Sequence, residues 1–71
     1  MEAELKDAIG RMDKMTMEQL EEIKDRCGRQ VLIWATTDKA LIEKHKSEVM
    51  LCRTLVNRYG ELLLAQIEKP N

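Results

Sequence analysis

A chain of 71 residues, with 44% apolar and 35% charged side chains and a net charge of −1, has room for one domain and no more. Aromatics make up 3%, with one Trp, one Tyr and no Phe, and the chain holds only three Gly and one Pro. That composition argues against a sandwich or small barrel, which needs aromatic strands and tight turns, and predicts an all-α protein.

No apolar run approaches the roughly 20 residues of a membrane span, so no membrane association is expected. The acidic start, Met1 to Asp7, lacks the apolar core of a secretory signal. Two cysteines, Cys27 and Cys52, are too few for a disulfide framework. These features together predict a cytoplasmic protein with both thiols reduced.

Leu5, Ala8, Ile9 and Met12 follow the spacing of an amphipathic helix, which Gly10 weakens by about 1 kcal/mol relative to Ala. A break is expected near residues 14–16. Thr16-Met17-Glu18-Gln19 fits a capping box, with Met15 and Leu20 placed as the two ends of a hydrophobic staple. A helix therefore starts at Met17, and Leu20, Ile23, Cys27, Val31 and Trp34 form its apolar line.

The run from Val31 to Thr37 is apolar and partly β-branched, which leaves helix and strand both open. Helix to about residue 34 is favoured, followed by a turn at 35–37 with Thr36 or Thr37 capping the next helix. Two alternatives stand beside it. One is a single helix from Met17 to Glu68, along the line Val31, Trp34, Asp38, Leu41, His45 and Glu48. The other is a strand over 30–36 pairing across a dimer as a DNA-reading ribbon, which the lack of polar–apolar alternation disfavours.

From Asp38 to Glu68 only Gly60 interrupts a helical pattern, and Pro70 closes the chain. With Ile42, Val49, Val56 and Leu63 at heptad position a, position d holds His45, Cys52, Tyr59 and Gln66, and g holds Leu41, Glu48, Leu55 and Leu62. The a and g lines read as a broad bundle face. The e positions Lys39, Lys46 and Arg53 form a basic stripe.

The chain 1–71 thus reads as a single all-α domain, a helical hairpin with arm one over 2–34, the turn at 35–37 and arm two over 38–68. Reversal near residue 36 pairs Leu20 with Cys52, Ile23 with Val49, Asp13 with Arg58 and Cys27 with His45. The pairing accounts for an acidic first third, residues 1–25, and a basic middle, residues 26–58. Apolar residues left over, Leu32, Ile33, Met50, Leu51 and Leu64, predict a homodimer that forms a helical bundle.

No nucleophile–base motif, phosphate loop or CxxC is present, so no enzyme and no cofactor are expected. Cys27 opposite His45 offers two zinc-ligand types, short of the four a closed site needs, and no metal is expected. The expected function is a non-enzymatic regulator, inhibitor or adaptor that binds a protein partner through Trp34, Leu32, Ile33, Met50 and Leu51. The alternative is a nucleic-acid-binding regulator using Lys39, Lys46 and Arg53, a geometry suited to a phosphate track but without interleaved aromatics.

Overall fold

A computed structural model of the chain describes residues 2–68; Pro70 lies outside them. The elements are α1 (Glu2–Arg11), a 3₁₀ turn (Met12–Lys14), α2 (Met17–Thr37), α3 (Ala40–Lys44) and α4 (Lys46–Glu68). No strand occurs among the described residues, so the fold is all-α and the run 31–37 is helix.

Helix α1 carries Glu2 and Glu4 in its first turn and Arg11 in its last, matching the helix dipole at both ends. Asp7 and Arg11 pair at 2.8 Å one turn apart. After the 3₁₀ turn, Met15 is extended and its N–H donates to the Met12 carbonyl at 3.1 Å. Thr16 then caps α2 as its sequence requires. The Gln19 N–H donates to the Thr16 hydroxyl at 3.2 Å, and the Thr16 N–H donates to the Gln19 side-chain oxygen at 2.9 Å.

The break expected at 14–16 is a full reversal. Helix α1 folds back and packs on α4, and Glu4 and Leu5 line one groove with Gln30 and Ile33 of α2. An ion pair of Asp13 with Arg58 ties the returning corner to α4. Arm one is therefore two helices running in opposite directions, and with α4 they make an up-down-up bundle.

The second reversal falls at Asp38–Lys39, and residues 35–37 are the last turn of α2. Thr36 does not cap the next helix. Its hydroxyl donates back to the Leu32 carbonyl at 2.8 Å, a bond that holds it inside α2. Asp38 is extended, at φ −162° and ψ 122°, and its carboxylate accepts the Ala40 N–H at 3.0 Å, as a helix cap does. The same reversal rules out a continuous helix from Met17 to Glu68. Helices α3 and α4 meet at His45, where hydrogen bonding continues through His45 N–H to Leu41 and Val49 N–H to His45, both 2.9 Å.

The later reversal moves the register. Cys27 lies beside Cys52 in the core and Trp34 meets His45, so the hairpin centres between residues 39 and 40 rather than at 36. Lys24 lies over the Tyr59 ring, 4.9 Å from its centroid. The core holds Leu5, Met12, Leu20, Cys27, Cys52 and Leu55, with Leu51, Tyr59 and Leu62 packed against it. Leu55 is 0% exposed. On α4 the buried residues are thus the d and g positions. The a line stays at the margin: Ile42, Val49 and Leu63 are half-buried and Val56 is exposed.

Candidate interaction surfaces

The expected partner-binding residues divide three ways. Leu32, Ile33 and Met50 are exposed at 62%, 55% and 60%. Leu51 is half-buried and packs on the core. Trp34 is not an exposed anchor: it is 9% exposed, stacked on His45 at the closed end of the hairpin. A side chain on the α2 line that carries Leu20 and Cys27 faces α4, and the late reversal gives Trp34 an aromatic neighbour there.

The three exposed residues do not converge on one spot. Leu32 and Ile33 are consecutive and point about 100° apart around α2. Ile33 lines a groove of about 630 Å³ between α1 and α2, whose apolar lining also includes Leu5, Ala8, Cys27 and Cys52. Glu4 and Asp7 stand on the α1 wall of that groove and Arg26 and Arg29 on the α2 wall. Leu32 lines a second groove, about 580 Å³, on the opposite side of α2, shared with Gly28 and Val56. Leu64, expected to be left over for a dimer surface, is exposed, and so are Val56 and Ile67, which sequence reasoning does not assign to a surface. Val56 is legible as an a position, but the heptad pattern alone turns that line inward.

Burial pushes the Cys52 thiol up to about 12, and contact with Cys27 adds to the shift. Both thiols are free and buried. The register that would set Cys27 against His45 is not formed. His45 instead places Nδ1 3.2 Å from the Glu48 carboxylate. Among the described residues no group of three His, Cys, Asp or Glu side chains is placed to hold a metal ion.

Lys39, Lys46 and Arg53 are all exposed. They follow one edge of the α3–α4 arm from the reversal to the middle of α4, and none makes an ion pair among the described residues. Lys24, by contrast, is pulled above its usual value by its hydrogen bond to Asp25, and Arg58 is raised by Asp13 and Glu61. Among the described residues no helix is long and apolar enough to cross a membrane. Comparison with protein families, curated proteins and solved structures finds no match for this chain.

Proposed function

We propose that this protein is a non-enzymatic interaction protein, a regulator, inhibitor or adaptor, that works by presenting helical surface to a protein partner. The observation that carries the reading is the exposure of Leu32, Ile33 and Met50 together with Val56, Leu64 and Ile67 on a chain of this size. Isolated exposed apolar residues are ordinary, but six large ones on one small domain leave apolar surface of the kind that binds partners. A homodimer is part of the proposal, since two copies cover more of that surface than one. A cytoplasmic setting fits two free thiols in contact with each other.

A second reading, nucleic-acid binding along Lys39, Lys46 and Arg53, is favoured by their shared edge and their lack of ion-pair partners. Affinity capture with the tagged chain, with and without nuclease and at two salt concentrations, separates the two. A protein partner should survive nuclease and moderate salt and be lost in Ile33→Glu/Met50→Glu, whose sites are exposed. Nucleic acid that is released steeply by salt and lost in Lys46→Glu/Arg53→Glu would replace the first reading with the second.

A further inference from the structure

Helix α1 covers one side of the layer made by α2 and α4, and among the described residues no helix covers the other side. On α2 the bare side carries Gly28 and Leu32. On α4 it carries the a positions Val49, Val56 and Leu63, with Gly60 one turn beyond Val56. This a line is the longest unbroken apolar line of the second arm, yet α4 turns its d and g positions inward and leaves the a line at the surface.

Two of the three glycines lie on this side. Each is inside a helix, where Gly costs about 1 kcal/mol relative to Ala. Neither has a positive φ, and a Cβ at either would meet nothing within 4 Å. Nothing inside one copy therefore accounts for a bare backbone at residues 28 and 60. Glycines let another backbone come close, and here the open space lies outside the chain.

The exposed area points the same way. The chain exposes 5524 Å², about 900 Å² more than the roughly 4,600 Å² expected of a compact monomer of this mass. A standard stable interface covers about 800 Å² on each partner.

We propose that the side of the α2–α4 layer centred on Gly28 and Val56 is the docking face for a second copy of this chain, packed antiparallel about a two-fold axis. The inference rests on the reading of the chain as an interaction protein and names one partner and its face. Charge selects the antiparallel arrangement. Lys39, Lys46 and Arg53 occupy the reversal half of the layer, and Glu18, Glu21 and Asp25 occupy the opposite half of α2. A parallel dimer sets like ends together. The antiparallel one, with its two-fold axis at the level of Gly28, sets Lys39 near Glu18 of the partner subunit, because the two residues lie about equally far from Gly28 on either side along α2. Gly28 then meets its own counterpart and lets the helices approach, with Val56 within the same seam.

Sedimentation equilibrium of the full chain should give a dimer mass that falls to monomer on dilution. Val56→Glu should weaken dimerisation at least about tenfold while helical content stays, because Val56 is 41% exposed within one copy. The glycines give the sharper comparison. Gly10 lies on α1, away from the face, and a Cβ there would likewise meet nothing within 4 Å. Gly10→Gln should leave dimerisation unchanged, and Gly28→Gln should weaken it. A monomer at every concentration overturns the proposal, as does a dimer that tolerates both Val56→Glu and Gly28→Gln. Zero-length carbodiimide coupling in isotopically mixed dimers should join Lys39 to Glu18 between copies; links that join the two reversal ends overturn the antiparallel arrangement. Partner capture that is lost in Ile33→Glu/Met50→Glu but intact in a monomeric Val56→Glu would sustain the proposed function even if this face failed.

Discussion

The indole of Trp34 lies flat on the imidazole of His45, ring centroids 4.3 Å apart and planes 4° from parallel. The stack closes the hairpin where the chain reverses, and the His45 ring is held in turn by the Glu48 carboxylate at 3.2 Å. Trp34 is therefore a structural residue of one copy. Trp34→Ala should cost about 3–5 kcal/mol, the range for removing a buried large aromatic, which is enough to unfold a domain of this size. Trp34→Phe keeps an aromatic face for the imidazole and should cost far less. Urea unfolding followed by circular dichroism checks both. A Trp34→Ala protein of unchanged stability that merely lost a partner would show that the indole faces outward in solution.

Leu55 and Leu32 make a second contrast, between two leucines on neighbouring helices. Leu55 is 0% exposed and Leu32 is 62% exposed. Leu55→Ala should destabilise by about 2–5 kcal/mol, from lost transfer energy plus a cavity at the junction of the helices. Leu32→Ala in the monomer should stay within about 0.5 kcal/mol of wild type, as surface changes do. Chemical denaturation at low protein concentration, where any dimer has dissociated, gives both values.

How much of the fold is legible in the sequence follows the range of the interactions. The Thr16 box is complete within four residues, and all of its hydrogen bonds form as the sequence implies. The hairpin reversal falls three to four residues beyond its expected place because Thr36 and Asp38 each have two uses. Either side chain suits a cap, and only the back-bond of Thr36 to Leu32 and the Asp38 bond to Ala40 decide between them. That small slip changes every cross-helix partner, replacing His45 with Cys52 opposite Cys27. The direction of α1 is not legible either. Leu5, Ala8 and Met12 fit a collinear arm as well as a folded-back one, and the choice rests on contacts with α4 made at long range. Once α1 takes the g side of α4, the a line is displaced to the margin, which is why Val56 is exposed despite its heptad position.

The thiol pair gives a pH prediction. Burial holds the Cys52 thiol at about 12, above its ordinary value near 9, so the folded chain keeps a proton that the unfolded chain releases. The contribution is full below pH 9 and is lost progressively as pH rises from about 9 toward 12, since there the unfolded state binds fewer protons. Stability of the wild type should therefore fall more steeply over that range than stability of Cys52→Ala, which has no thiol to ionise there. The difference between the two pH profiles isolates the group from the lysines and Tyr59. The same burial predicts slow alkylation of Cys52 in the folded state, at a rate set by opening rather than by thiolate chemistry. Parallel stability profiles, or alkylation as fast as in urea, would show that the thiol is open to water.

Helix α1 is the shortest of the three helices that make the bundle. It is ten residues long, shorter than an isolated helix needs for stability, and Leu5, Ala8 and Met12 are its and its corner's buried side chains. Its hold on α4 should therefore respond to two substitutions in opposite directions. Gly10→Ala adds helix propensity at a site with open space around it and should stabilise by about 0.5–1 kcal/mol, a rise in Tm of roughly 2–8 °C for a domain this small. Met12 is 1% exposed at the corner, and Met12→Ala should cost about 2–5 kcal/mol. Amide exchange separates local from global effects. In the wild type, residues 2–11 should exchange faster than the middle of α2 and α4, because opening α1 alone leaves the hairpin paired. Gly10→Ala should slow exchange chiefly within α1. Protection in α1 equal to that of Cys27 and Leu55 in the wild type would instead make the three helices one cooperative unit, and the two substitutions would then shift exchange throughout the chain by the same amount.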